Sequence, residues 1–321
     1  MAELFADLRG QPQAVALLEA SLERQRLAPA YLFAGPDGVG RRLAALRFLE
    51  GVLAGPGAWA AGSPPLRRRL EQGNHPDLLW IEPTYSHQGR LVAASAAVAE
   101  GVSRRSPPQI RLDQIRELSR FVARRPVQGN HCLVVLEGAE AMAEAAANAL
   151  LKTLEEPGEG VVILICAAPD QLLSTIRSRC QRIRFGRLEP ALMAELLADD
   201  PELGPDPSEL VELAAGSPGA LLRHRQQWQA LPEGVAAGLL ALPADPLAAL
   251  ALARDLSEAL DGEQQLWLLN WWQLALWRRH GRVDQMRRLE RLRQHLLSFV
   301  QPRLAWEVAL LEVAGVVRGQ A

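Results

Sequence analysis

Four short stretches of the chain, residues 31–33, 77–81, 131–136 and 161–167, are apolar nearly throughout rather than at alternate positions. Runs of that length and character predict strands buried on both faces. Between them the apolar residues fall at helical spacing: Val15, Leu17, Leu18 and Leu22, then Leu43, Leu46 and Leu49, then Ile115, Leu118 and Val122. Residues 139–156 are strong helix formers and predict one long helix, stopped by Glu156-Pro157-Gly158. Residues 110–112 lead into Asp113, which reads as a helix N-cap. A weak strand or hairpin is expected near 90–94, a short helix near 172–178 and a last strand at 183–185. Apolar strands alternating with helices specify an α/β domain built on a parallel sheet covered on both faces.

After residue 185 strand signals vanish. Residues 188–229 give short helices (Leu192, Leu196 and Leu197; Leu210 and Leu213) punctuated by Pro and Gly. From 231 onward the chain reads as helical, with breaks at Pro243, Gly262, Gly281 and Pro302, and no internal repeat is evident. The expected division is an α/β core over 1–187, a small helical unit over 188–230 and a helical domain over 231–321.

Composition adds exclusions. A length of 321 residues exceeds one typical domain, and 49% hydrophobic with 22% charged residues is ordinary for a protein with a real core. A formal charge of −2 gives no global attraction to nucleic acid or an anionic membrane. No apolar run approaches the ~18 residues of a membrane span, and residues 1–10 lack a signal-peptide pattern. Cys132, Cys166 and Cys180 are far apart and read as buried thiols in a reducing compartment, not a zinc or disulfide framework. A soluble, cytoplasmic protein without a bound metal is the expectation.

The candidate chemistry begins at residues 31–42, Tyr-Leu-Phe-Ala-Gly-Pro-Asp-Gly-Val-Gly-Arg-Arg. A strand, a glycine loop and a helix start are what a phosphate-cradling P-loop requires, and Gly35, Gly38 and Gly40 fit its spacing. A working loop continues with Lys, which reaches the β/γ-phosphates, and Ser or Thr, whose hydroxyl holds Mg²⁺. Here Arg41 and Arg42 stand in those places. Arg41 keeps a charge in a different shape, and Arg42 offers no oxygen to a metal. The acidic pair expected after strand 131–136 is reduced to Glu137-Gly138. Two readings follow: a loop that only turns the chain, or one that holds nucleotide without hydrolysing it.

Residues 146–157, Ala-Ala-Asn-Ala-Leu-Leu-Lys-Thr-Leu-Glu-Glu-Pro, resemble the signature helix of AAA+ clamp-loader subunits, and residues 172–181 contain the Ser-Arg-Cys motif of that family. Gly73-Asn74-His75-Pro76-Asp77-Leu78, residues 110–118 and residues 301–307 add stretches similar to subunits of the bacterial DNA polymerase III loader. The resemblance implies an AAA+ core, a helical lid and an all-α collar. It implies a part in loading the sliding clamp onto primer-template DNA, within a DNA-directed DNA polymerase holoenzyme (a nucleotidyltransferase). The implied partners are gamma/tau-type ATPase subunits and a delta subunit, with the clamp and DNA reached through the assembly. It makes Arg179, flanked by Ser178 and Cys180, an arginine finger reaching a neighbour's ATP; on residue physics alone Arg179 reads as a surface arginine capping a helix. Lys152 and Glu155 lie near that implied interface or form a solvated i, i+3 ion pair.

Departures from the family point the same way. The four cysteines of a zinc module that many members carry are missing from 51–73, so no metal is expected. Gly219 replaces the second-sensor arginine in Gly216-Ser217-Pro218-Gly219, and Cys166-Ala167-Ala168 lacks the Thr or Asn of the first sensor. With so many parts lost, no intrinsic activity and no productive cofactor are expected. The rivals are an active AAA+ ATPase and a free-standing nucleotide sensor or DNA-binding protein.

Three further features take bland readings. His75 is a structural turn residue, and the cluster Arg67-Arg68-Arg69 is a solvated face. Trp267, Trp271 and Leu274, with Trp272 and Leu276, form a core or helix–helix interface. The run Arg278, Arg279, Arg282, Arg287, Arg288, Arg291 and Arg293 is a solvated basic face or a contact for an acidic neighbour or DNA.

Overall fold

The computed structural model describes residues 3–97, 99–102, 107–156, 158–198, 207–242, 244–298 and 300–316. Pro157 and Pro243, read above as helix breaks, lie outside the described residues. The chain forms two compact units, Met1–Ala198 with Gly216–Gly219, and Asp199–Ala215 with Ala220–Ala321.

In the first unit the order is α1 (Pro12–Glu23), β1 (Ala30–Ala34), α2 (Arg41–Ala54), α3 (Pro64–Glu71), β2 (Leu78–Ile81), β3 (Thr84–His87) and β4 (Arg90–Ala93). Then come α4 (Leu112–Val122), β5 (Leu133–Glu137), α5 (Glu144–Glu155), β6 (Val161–Cys166), α6 (Ser174–Arg177), β7 (Gln181–Arg184) and α7 (Pro190–Ala198). Five strands make a parallel sheet in the order β2-β5-β6-β1-β7, and β3 and β4 form a separate antiparallel hairpin.

The continuous apolar runs are explained by burial on both faces. Tyr31, Phe33, Val135, Ile163 and Ile183 face one core with Phe48 and Leu49 of α2. The intervening Leu32, Val134, Leu136, Val162 and Leu164 face the other, with Ile115 and Leu118 of α4 and Leu150 and Leu154 of α5. Register sets Ala34 opposite Cys166, Glu137 opposite Ile165 and Ile81 opposite Leu136, so the carboxyl ends of four strands finish side by side. Ligands of open parallel sheets bind beyond that end.

Several expectations are corrected. The helix expected over 139–156 starts at Glu144, because Ile110 takes the backbone at its head: Ile110 N donates to Ala141 O at 2.9 Å and Ala143 N to Ile110 O at 3.0 Å. Residues Ala139–Ala141 form a 3-10 turn instead. Asp113 lies in the first turn of α4; the N-cap is Arg111, whose N–H donates to Gln114 Oε1 at 2.9 Å. Cys132 and Cys166 are buried as expected, but Cys180 is only partly so. Arg67 is no solvated charge: it pairs at 2.9 Å with Glu50, which has no exposed surface.

His75 and Asp77 order the entry to β2. His75 Nδ1 accepts from Asp77 N at 3.2 Å. The Asp77 carboxylate, with no exposed surface, accepts the N–H groups of Val127, Gln128 and Gly129 at 2.6, 2.7 and 2.8 Å. Burial pushes its pKa up, but the three N–H donors more than offset that and hold it below the ordinary 3.8. Asp77→Ala is expected to cost about 3 kcal/mol in urea unfolding at neutral pH, since three buried donors lose a charged acceptor. A carboxyl with a depressed folded pKa stabilises fully above its unfolded value and loses that contribution as pH falls through the folded one. The gap between wild type and Asp77→Asn therefore closes as the pH is lowered past 3.8.

The second unit contains α8 (Ser208–Ala214), α9 (Pro218–Gln229, whose first two residues belong to the first unit), α10 (Val235–Leu240), α11 (Pro246–Ala259), α12 (Gly262–His280), α13 (Val283–Leu297) and α14 (Pro302–Val313). Asp261 caps α12 through Gln264 N at 2.9 Å, and Gly281 ends it with φ +57°. Trp271, Trp272 and Trp306 are fully buried; Trp272 Nε1 donates to Leu239 O and Trp306 Nε1 to Gln265 Oε1, both at 3.0 Å. The basic run is largely consumed within this unit: Arg278 pairs with Glu212, Arg282 with Asp284, Arg291 with Glu312 and Arg293 with Glu290.

Candidate functional site: a glycine loop and an outlying arginine

The glycine loop leaves β1 at the carboxyl edge of the sheet. Gly35 N donates to Cys166 O at 3.2 Å and Phe185 N to Ala34 O at 2.8 Å, clamping the loop's first residue between β6 and β7. Gly38 and Gly40 have φ of +75° and +100°, conformations that favour glycine. Gly40 is then the N-cap of α2, with Ala44 N donating to its carbonyl at 2.8 Å. The shape of a phosphate cradle is intact.

The two arginines that follow the loop are paired within the chain. Arg42 forms an ion pair with Glu137, its guanidinium lies 4.3 Å from the centre of the Trp80 ring, and Trp80 Nε1 donates to the same Glu137 oxygen at 2.9 Å. The position of the loop hydroxyl and the surviving carboxylate of β5 are thus joined directly, as an arginine–carboxylate pair. Arg41 is 6% exposed and pairs with Asp37, while its Nε and Nη1 have no partner among the described residues. On the far side of the loop, Ser217 Oγ donates to Asp37 O at 2.6 Å and Gly219 N to Gly38 O at 2.9 Å. A Cβ on Gly219 would stand 2.8 Å from Gly38 Cα, so an arginine cannot replace Gly219 without moving the loop. The Cys166 thiol nearby is pushed up to about 12 by burial and by Glu140, and is no nucleophile.

The Ser178-Arg179-Cys180 tripeptide lies elsewhere. It joins α6 to the amino end of β7, with Ile176 anchored in the core and Ser178 as the C-cap of α6. Arg179 is 36% exposed; it donates to Thr175 O at 3.0 Å and pairs with Glu155 of α5 at 2.7 Å. Glu155 is therefore not held by Lys152. Arg177 pairs with Asp170 at 2.8 Å. Burial raises the Cys180 thiol to about 12, which leaves it a packing residue.

Register fixes the separation of the two features. Gln181 lies opposite Tyr31, four residues before Gly35, which is roughly 13 Å of parallel strand. Arg179 lies beyond Gln181 on the side away from the loop. The structure brings Gly35, Gly38, Gly40, Arg41 and Arg42 together with Glu137, and keeps Ser178, Arg179 and Cys180 apart from them. Sequence reasoning missed Asp37, Trp80, Ser217 and Glu155 as partners, since each pairing is set by the fold and carries no local signal.

A parallel five-stranded sheet with a glycine loop after one inner strand, an acidic residue ending the next but one, and a helical carboxy-terminal region define an AAA+-type protein. A family model described as "DNA polymerase III, delta subunit" matches residues 10–189, and one described as "Cyanobacterial DNA polymerase III delta prime, C-terminal domain" matches residues 192–313. The chain belongs to this DNA polymerase III delta-prime family, a family of DNA replication. It is 35% identical over 240 residues to DNA polymerase III subunit delta' of Pseudomonas aeruginosa, covering 72% of this chain and 66% of that one. It is 33% identical over 195 residues to the delta' subunit of Bacillus subtilis, covering 59% of this chain and 51% of that one. The chain thus spans between half and two thirds of those relatives' lengths. A DNA polymerase III gamma subunit-related protein of Thermotoga maritima shares the fold, with a TM-score of 0.52 at 18% identity, covering 94% of this chain and 99% of that one. No helix among the described residues is long and apolar enough to cross a membrane.

Proposed function

We propose that this chain is a non-hydrolysing clamp-loader subunit that helps load the sliding clamp onto primed DNA and supplies Arg179 in trans to ATP held by a neighbouring subunit. The observation that carries this reading is the placement of Arg179 at the opposite end of the strands from the chain's own loop. A guanidinium there cannot serve that loop, but it is exposed for a partner. Its tether to Glu155 is an exposed ion pair, worth below ~1 kcal/mol, so release toward a partner's phosphate costs little.

The loop supports the other half of the reading. With Arg42 joined to Glu137, no hydroxyl–metal–carboxylate arrangement can form without breaking that pair. Gly138 leaves no second carboxylate to orient an attacking water. The nucleotide and Mg²⁺ of a working AAA+ site do not fit these residues. The active-ATPase alternative lacks the lysine, the hydroxyl and the second carboxylate it needs at this position.

The partners in this reading are gamma/tau-type ATPase subunits and a delta subunit, with the clamp and primer-template DNA reached through the complex. Residues 1–187 act as the AAA+ core, 188–230 as its lid and 231–321 as the collar. In the test, the isolated chain is incubated with ATP and Mg²⁺ and then mixed with gamma/tau-type ATPase subunits. The expected result is no turnover above buffer and co-elution with the ATPases. ATP turnover by the isolated chain that disappears in Arg41→Ala would overturn the reading.

A further inference from the structure

Arg179 is held on both arms by its own chain. Its Nη1 donates to Thr175 O at 3.0 Å and its Nη2 to Glu155 Oε1 at 2.7 Å. The Thr175 carbonyl belongs to α6, the helix that leads into Arg179, whereas Glu155 belongs to α5. Glu155 is poorly placed for the helix that carries it. It is the last residue of α5, where the helix carbonyls carry partial negative charge and an acid is disfavoured. Glu156 follows as the C-cap and brings a second carboxylate to the same end. Lys152, at i, i+3 on the same helix, is not the partner that relieves Glu155. A residue that breaks a local rule marks a second demand on its position. Here that demand is the contact with Arg179. Both side chains are open to solvent, Arg179 at 36% and Glu155 at 52%, so a partner's anion can reach the pair.

We propose that Glu155 is a competing partner, holding Arg179 docked on its own chain until the terminal phosphate of nucleotide on the neighbouring subunit displaces it. This competition presupposes the trans role of Arg179 and adds the step that precedes it. The docked guanidinium spends one N–H of Nη1 and one of Nη2, and its remaining donors are left for a first contact with an incoming anion. A terminal phosphate carries more charge than a carboxylate and meets the planar fork with two oxygens, so it wins the exchange. No covalent bond changes; one charge-assisted pair replaces another. Where the neighbour offers no terminal phosphate, Arg179 stays on Glu155. The plain alternative is that Glu155 only ties α6 to α5 and steadies the tripeptide. Cutting a steadying tie lowers activity, whereas removing a competitor raises it.

The test measures kcat/KM for ATP in the reconstituted loader, with clamp and primed DNA and this chain as wild type, Glu155→Gln, Arg179→Ala or both changes. The part that depends on Arg179 is the difference from Arg179→Ala. Glu155→Gln is expected to raise that part about two- to fivefold, the size of a solvated ion pair, because kcat/KM compares the docked resting state with the engaged transition state. Glu155→Ala should show the same gain. The gain should shrink as salt rises, since salt already weakens the wild-type pair. It should vanish when Arg179 is replaced by Ala. The proposal is overturned if both Glu155 variants leave kcat/KM unchanged or lower it while Arg179→Ala is defective; the trans role then stands without the competition. A gain that persists in the Arg179→Ala background overturns it as well. If Arg179→Ala costs nothing, the trans role itself fails and the exchange fails with it.

Discussion

Gly35→Ala is expected to unfold the first unit or to lower its stability by more than about 3 kcal/mol in urea. A Cβ at this position would stand 2.2 Å from the carbonyl oxygen of Phe185 and 3.0 Å from that residue's carbonyl carbon and Cβ. Real Cβ atoms do not approach backbone that closely, and neither side can yield cheaply. Gly35 N is bonded to Cys166 O, and Phe185 N to Ala34 O, so relief means breaking the ladder between β1 and its two neighbours. Overpacking against fixed backbone belongs to the severe class of substitutions. Gly186→Ala supplies the control: nothing lies within 4 Å of its added Cβ, and its cost should stay within about 0.5 kcal/mol. A small effect at Gly35 would mean the loop is not a structural member of the sheet.

The second large effect belongs to Arg179. Removing a guanidinium that neutralises charge on a transferring phosphoryl group lowers the rate at that site on the order of 10³-fold or more. Arg179→Ala should produce a loss of that size at the neighbouring ATP site in the assembled loader. Stability of this chain should barely change, because Arg179 is partly exposed and its pair with Glu155 is solvated. Assembly should be unaffected as well, which separates a catalytic loss from a failure to dock. Lys should not rescue Arg179, since its single ammonium cannot reproduce a planar fork.

What the sequence allowed follows from how local each determinant is. The inner strands were legible because burial on both faces demands apolar residues at every position, as in Val161–Cys166. The loop's departure from working chemistry was legible at Arg41 and Arg42, since two missing functional groups are visible without a structure. The start of α5 was not, because Ile110, distant in sequence, diverts the backbone at Ala141–Ala143 against strong helix propensity. Nor was the fate of Glu155, for which a pair with its helical neighbour Lys152 was one of two readings, because Arg179 arrives from another element. The pairing of Arg42 with Glu137 joins residues 95 positions apart, and only the side-by-side strand ends bring them together.

In the proposed function, the arginine that matters chemically lies outside the loop and acts on another subunit. The decisive measurement is single-turnover ATP hydrolysis in the reconstituted loader, with clamp and primed DNA present and this chain as wild type, Arg42→Ala or Arg179→Ala. Turnover is expected to be unchanged with Arg42→Ala and to fall on the order of 10³-fold at the neighbouring site with Arg179→Ala. Turnover that survives Arg179→Ala but collapses with Arg42→Ala would contradict that function.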